Sequence, residues 1–241
     1  MKPLTHAERV AVNSRVAQAN RSAFDAAGVT VVSVIGPAGS GKTSAIEALL
    51  RRIDPTFRVG VIIGNLAAQR QVSRITRHGY QALPLVTDNV TAVHIRDSLS
   101  RFDLERINLL IIEADVNALN SVECDLGQHR RVCVFSVAGG DDKATEYPFL
   151  VAGSDLVLLT KTDLLPYVSF DFKVFVEDVK RLEPHVDIMR ASAQTFHGIK
   201  DWATWVESRV FPPFDNRAAA AAMFDPFVNW NSRSQSAGEI K

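Results

Sequence analysis

The eight residues GPAGSGKT, positions 36–43, constrain this chain more than any other stretch. Gly36, Gly39 and Gly41 let the backbone turn tightly enough for successive N–H groups to point at one anion. Lys42 adds a positive charge for the β- and γ-phosphates of a nucleotide, and Thr43 adds a hydroxyl suited to Mg²⁺. Ser40, within the turn, and Ser44, first of the helical run that follows, complete the expected nucleotide contacts. The apolar, β-branched run VTVVSVIG leads in, and SAIEALLRRI leads out with helical spacing. A helix that begins at the loop also aims the positive end of its dipole at a bound phosphate. A Gly-rich turn that holds nothing is the bland alternative, but strand, loop and helix stand in the order that a phosphate cradle requires.

The rest of the chain repeats that alternation. Strands are expected at RVGVIIGN (58–65), ALPLV (82–86), INLLIIEA (107–114), RVCVFSVA (131–138), SDLVLLTK (154–161) and VDIMRASA (186–193). Helices are expected at 5–27, 67–79, 91–102, 172–184 and 199–210, the first stopped by Gly28 and burying Val10, Val12, Val16, Ala17 and Phe24. Strands apolar on both faces, separated by helical stretches, predict an α/β P-loop fold: a mostly parallel sheet with helices on both faces. The expected division is an N-terminal helix (1–28) laid on the domain, the nucleotide-binding domain proper (29–210), and an irregular C-terminal extension (211–241) rich in alanine and then polar. In all, 241 residues, 46% of them hydrophobic, suit one such domain.

Charge excludes little but directs the search. Lys+Arg and Asp+Glu both number 27, so no net field favours nucleic acid or an anionic membrane. No run reaches the roughly 18 apolar residues of a membrane span, and the polar start lacks a secretory leader. With two cysteines, Cys124 and Cys133, the expectation is a cytoplasmic protein with reduced thiols.

TKTD, at 160–163, chooses the base. It is similar to the guanine-reading [NT]-K-x-D of GTPases. The Asp163 carboxylate can accept from both N1–H and the exocyclic amine of guanine, a donor pair that adenine lacks, and Lys161 can lay its aliphatic stem along the ring. Thr160 stands where Asn is commoner. ASA at 191–193, with Ser192 and Ala193, resembles the GTPase loop whose backbone N–H meets the guanine oxygen, which makes the Ala193 N–H the expected donor. The order and distance from the phosphate loop favour GTP and GDP over ATP. A solvated turn, or an ATP-dependent small-molecule kinase, are the competing readings.

These residues resemble a known family. From about Asn20 to Val210 the chain is similar to the HypB type of nickel-insertion GTPase, related to the urease accessory GTPase within the SIMIBI class. The blocks NRSAFDAAGV, GPAGSGKTS, VGVIIGN, SDLVLLTKTDLLPYV and ASAQTFHGIKDWATWV carry the likeness, and SVAGGDDKATEYP is its most specific part. The resemblance implies GTP hydrolysis, a GTP-dependent homodimer, a client metalloenzyme that receives nickel, and a small zinc-binding partner that brings it. It also implies that Glu113, closing INLLIIEA, sits near Mg²⁺ and the attacking water with Thr43 and Lys42.

Departures from the family pattern are equally specific. Val93 stands where the family has the cysteine of its Cys-His metal pair, followed by His94. Asn120 stands where a second cysteine is found, with Cys124 four residues on. Thiolate or imidazole is what a soft metal site needs, so His94 and Cys124 are the remaining candidates for nickel and weak binding by the isolated chain is expected. Asn65 replaces an acidic residue after the second strand, and Val116 replaces the glycine of the family's E-N-V-G-N, here EADVN. Slow hydrolysis is therefore expected, with Asp115 a possible substitute carboxylate. Two functional readings follow: a GTP-dependent maturation factor for a nickel enzyme (a hydrogenase, or a nickel-dependent hydrolase such as urease), or a regulatory GTP/GDP-binding module with little hydrolysis and no metal delivery.

Overall fold

A computed structural model describes residues 5–87, 89–115 and 125–210. Its centre is a seven-stranded, wholly parallel sheet. The strands are β1 (Thr30–Gly36), β2 (Val59–Gly64), β3 (Gln81–Leu85), β4 (Leu109–Asp115), β5 (Arg130–Ser136), β6 (Leu156–Thr160) and β7 (Asp187–Arg190), in spatial order β3-β2-β4-β1-β5-β6-β7. The helices are α1 (His6–Ala27), α2 (Lys42–Leu50), α3 (Ala68–Thr76), α4 (Ala92–Leu99), the short α5 (Lys143–Glu146) and α6 (Pro148–Val151), α7 (Phe172–Leu182) and α8 (Ile199–Glu207). Among the described residues no helix is long and apolar enough to cross a membrane.

The period of two along each strand explains why both sheet faces are dry. One face carries Val31, Ile35, Ile62, Leu110, Ile112, Phe135 and Leu159, covered by Phe24 of α1, Ile95 of α4 and Phe175 of α7. The other carries Val32, Val34, Val61, Ile63, Ile111, Val132 and Leu158, covered by Ile46 and Leu49 of α2, Ile75 of α3 and Trp202 of α8. Each such side chain taken fully out of water contributes about 1.5–3 kcal/mol.

The expected strands and helices are all present, with shifts at their ends. The last strand stops at Arg190, which leaves ASA in a loop, with Ala191 and Ser192 buried and Ala193 half-buried. The helical turns at 143–151 and the 3₁₀ segment Thr162–Tyr167 were not foreseen. The C-terminal extension 211–241, together with Val116, Asn120 and Cys124, lies outside the described residues.

The buried face of α1 differs from the expectation. Val12 is 43% exposed, whereas Asn13, Ala17, Asn20 and Phe24 form the buried stripe, spaced by three and four. The two asparagines earn their burial by hydrogen bonding. Asn13 Oδ1 accepts from Ala92 N at 2.9 Å and its Nδ2 donates to Asp125 O at 2.8 Å. Asn20 Nδ2 donates to Ala92 O at 2.8 Å and to Leu126 O at 3.1 Å. The helix is thereby tied to the start of α4 and to the residues that lead into β5. A capping box at Thr5 and Glu8 opens α1, and Gly28, at φ 65°, closes it in a conformation that costs a glycine little.

Candidate nucleotide-binding site

The site lies at the carboxyl ends of the central strands, where ligands bind in open α/β sheets. β1 ends at Gly36, the loop runs through 37–41, and α2 begins at Lys42. A Cβ on Gly36 would fall 2.3 Å from the Val134 carbonyl oxygen, so the loop leaves the sheet in direct contact with the β5 backbone. Gly41 has φ 92° and turns the chain into α2.

Lys42 is 3% exposed. Its ammonium donates to Gly36 O at 3.0 Å and Pro37 O at 2.7 Å, and it pairs with Asp115 Oδ1 at 2.7 Å. The parallel register sets Gly36 opposite Asp115 and Val34 opposite Glu113, so two residues two apart on β4 aim carboxylates at the loop. Thr43 Oγ1 donates to Glu113 Oε1 at 2.6 Å. Burial pushes the Glu113 carboxyl up to about 7, and the neighbouring Asp115 charge adds to this; the Thr43 hydrogen bond and Lys42 oppose it. Its second oxygen, Oε2, is buried with no hydrogen-bond partner. A dry carboxylate oxygen left open beside a hydroxyl is the donor set that a hard divalent cation takes, so these residues fit Mg²⁺.

The residues expected to read the base are fastened to the same loop. Thr160 Oγ1 lies 2.5 Å from Ser40 O and 3.0 Å from Phe135 O, with one proton to share between them. Lys161 adopts φ 56°, and its Nζ donates to Gly39 O at 2.8 Å. Ser192 Oγ donates to Asp163 Oδ1 at 2.5 Å and accepts from the amides of Gln194 at 3.2 Å and Thr195 at 3.1 Å. Ala193 follows directly, half-buried. The adjacency of β6 and β7 puts Lys161, Asp163, Ser192 and Ala193 at one end of the phosphate loop. A cavity of about 300 Å³ opens between the phosphate loop and the turns after β5, lined among others by Pro37, Phe135, Ala138, Tyr147 and Lys161; Asp163, Ser192 and Ala193 do not line it. Tyr147 and Lys143, from the helical turns after β5, were missed as lining residues; their place within the block SVAGGDDKATEYP was the only signal.

Ser44 and Glu47 on α2 carry a feature that sequence reasoning also missed. Arg74 of α3 donates to Ser44 Oγ at 3.1 Å and pairs with Glu47 Oε2 at 2.7 Å. Arg77 and His78 close on the other Glu47 oxygen, His78 at 2.9 Å. Burial raises the Glu47 carboxyl, but hydrogen bonds from His78, Arg77 and Arg74 together outweigh it and bring it down to about 2. Four chargeable residues on and after two helices are visible in sequence, but their convergence depends on α2 and α3 packing side by side on one face of the sheet.

The transition-metal candidates are placed differently. His94 is exposed, and its Nδ1 sits 3.2 Å from Thr91 N and 3.1 Å from Thr91 Oγ1 in the cap of α4. Cys124 lies outside the described residues. Among the described residues no three of His, Cys, Asp and Glu gather as a metal cluster. Asn65 is buried, and its amide is committed to the turn before α3 and to α3 itself: Oδ1 accepts from Ala67 N at 2.9 Å and Nδ2 donates to Gln71 Oε1 at 2.6 Å.

Residues 30–190 match the model of the CobW/HypB/UreG nucleotide-binding domain. The chain belongs to this family. Among CobW/HypB/UreG relatives, the hydrogenase maturation factor HypB of Azotobacter vinelandii is 32% identical over 81% of this chain and 65% of its own length. The chain thus spans just under two thirds of that relative. The probable HypB of Methanocaldococcus jannaschii is 31% identical, over 82% of this chain and 91% of its own. In structure, HypB of Archaeoglobus fulgidus superposes with a TM-score of 0.75 at 30% identity, covering 82% of this chain and 98% of that one. HypB of Helicobacter pylori, solved in complex with nickel, gives a TM-score of 0.75 at 25% identity, over 82% of this chain and 94% of that one.

Proposed function

We propose that the chain binds GTP with Mg²⁺, hydrolyses it slowly, and acts as a maturation factor that helps to insert a metal, nickel foremost, into a client metalloenzyme. The observation that carries the GTP part is the fastening of TKTD and ASA to the phosphate loop, through Thr160 to Ser40 and through Lys161 to Gly39. Phosphate and base readers then form one continuous site. Loop N–H groups and Lys42 hold the phosphates; Asp163, oriented by Ser192, reads the guanine edge; the Ala193 amide meets the guanine oxygen. Thr43 and Glu113 would hold Mg²⁺, which supplies charge neutralisation at the β- and γ-phosphates. Glu113 orients the attacking water, and the chemistry is positioning with no covalent intermediate on the protein.

The maturation role is supported by the family and by the names of its relatives. Within it, the chain forms a GTP-dependent homodimer and works with a small zinc-binding partner that carries the nickel. Val93 in place of the family cysteine and the engagement of His94 with Thr91 support nickel being held by the partner or the client. Competition of ATP and GTP for one labelled nucleotide, and single-turnover hydrolysis set against Lys42→Ala, test the GTPase part. ATP competing as well as GTP overturns it. Calorimetry that finds one tight Ni²⁺ per chain, abolished by His94→Ala, overturns the assignment of nickel to a partner. Capture of partners by the GTP-loaded protein from its own organism names the client.

A second reading keeps binding and drops turnover: a regulatory GTP/GDP module. The commitment of the Asn65 amide to Ala67 and Gln71 favours it, because that side chain offers no carboxylate to the Mg²⁺ side of the site. A single-turnover rate no higher than that of Lys42→Ala would establish it.

A further inference from the structure

Asp115 and Lys42 form a pair for which the site as described has no use. Lys42 is the phosphate-binding ammonium, and its three N–H groups meet Gly36 O, Pro37 O and Asp115 Oδ1, with the Ser40 hydroxyl a longer contact at 3.4 Å. Two of those acceptors are loop carbonyls. The third is a full negative charge, 30% exposed, on the mouth of the site. It occupies the side of Lys42 that a β- or γ-phosphate oxygen must take, since the carbonyls hold the other sides. The carboxylate therefore stands where a phosphate oxygen would. On the same strand face, two residues back, Glu113 leaves one buried oxygen without a partner.

We propose that Asp115 is an additional nucleotide-site residue that makes binding depend on Mg²⁺: it competes with phosphate for Lys42 in the free protein, and after displacement it contributes, with Glu113 and Thr43, to holding the hydrated cation. The reasoning is one of charge. Metal-free GTP or GDP that displaces Asp115 leaves its carboxylate beside the phosphates and the acidic Glu113, with the single charge of Lys42 to offset them. A nucleotide that arrives with Mg²⁺ brings the counter-charge along. Glu113 and Asp115 then face the cation from one strand, while Lys42 turns to the phosphates. This inference rests on the reading of the loop as a GTP site and adds to it a residue at β4 and a preference for the metal complex over the free nucleotide.

The test is fluorescence titration of labelled GTP and GDP against the full chain, wild type and Asp115→Asn, once in Mg²⁺ and once in EDTA. Asp115→Asn keeps the shape, removes the charge, and is expected to bind about tenfold more tightly than wild type in EDTA, the equivalent of one ion pair no longer in competition. In Mg²⁺ that gain disappears. The ratio of the two affinities, with and without the metal, thus falls about tenfold or more in the variant. Asp115→Ala gives the same direction if charge, and not the shape of the side chain, is responsible. An unchanged ratio in both variants overturns the inference while leaving GTP binding standing. No binding of either nucleotide by wild type under either condition overturns the GTP reading, and this inference with it.

Discussion

The Ser192 hydroxyl donates to the Asp163 carboxylate at 2.5 Å, across 29 residues of sequence. Asp163, proposed to separate guanine from adenine, sits at the start of the 3₁₀ turn Thr162–Tyr167. Two backbone amides, from Gln194 and Thr195, in turn orient the serine. Ser192→Ala is expected to weaken GTP binding by about tenfold, the loss of one hydrogen bond to a charged group, and to narrow the preference over ATP. Asp163→Asn should go further and favour xanthine nucleotides, whose carbonyl replaces the guanine amine and accepts from the new side-chain amide. Competition titration of GTP, ATP and XTP reads both; unchanged selectivity in Asp163→Asn would remove Asp163 from the base site.

Thr160 takes the position of the commoner asparagine and still reaches the loop, through Ser40 O. Thr160→Val keeps the volume and removes the donor, leaving buried carbonyls of Ser40 and Phe135 short of a partner. We expect a loss of about 1–3 kcal/mol of stability together with weaker nucleotide binding. Thr160→Ser should retain both. Urea denaturation and nucleotide titration on the three chains check this; a Val variant that matches wild type in both measurements would show that the tie is idle.

Glu113 predicts opposite responses in the free and bound protein. Its carboxyl titrates near 7, so at pH 8 the free protein carries an ionised, dehydrated carboxylate with one open oxygen. Glu113→Gln removes that charge and keeps the acceptor for Thr43. The nucleotide-free melting temperature at pH 8 should rise by about 2–4 °C for each kcal/mol relieved. The stimulation of GTP affinity by Mg²⁺ should fall. A variant that melts lower and still responds fully to Mg²⁺ contradicts both expectations.

The contact of Glu47 with Arg74, Arg77 and His78 gives an acid sensitivity of definite sign. Its folded value, about 2, lies below the ordinary 4.5. The stabilisation is therefore complete above about pH 4.5 and lost as pH falls towards 2. Wild type should unfold more easily through that interval, whereas Glu47→Gln, lacking the contribution at every pH, should show a flatter melting profile there. Parallel profiles would disprove the contribution.

Asn20→Ala should cost about 2–4 kcal/mol, because Ala92 O and Leu126 O lose a shared buried donor and α1 loses its central hold. Chemical denaturation measures the loss, and nucleotide affinity measured on the folded fraction should remain close to wild type.

Much of this architecture is readable in the sequence because the strands are apolar on both sides and punctuated by glycine. VVSVIG and NLLIIEA admit few alternatives to a central parallel strand, and GPAGSGKT admits few alternatives to a loop between strand and helix. What was not readable depends on partners far away in the chain. The buried face of α1 contains two asparagines, whose polarity disguised it until their acceptors at Ala92, Asp125 and Leu126 were in place. The threonine of TKTD reads as a departure from a motif, yet its hydroxyl makes the connection to the loop. Asp115 reads as one more carboxylate after a strand; only the register against Gly36 sets it on Lys42.

The fastening of Thr160 and Lys161 to the phosphate loop has a kinetic consequence. On the proposed GTP reading, base reader and phosphate cradle form a single preshaped rim, so guanosine and the first phosphate can dock with little rearrangement, and association should be nearly the same for GDP and GTP. Discrimination between them then falls to the far rim, where Asp115, Glu113 and Lys42 must exchange partners, and it should be written in the residence times.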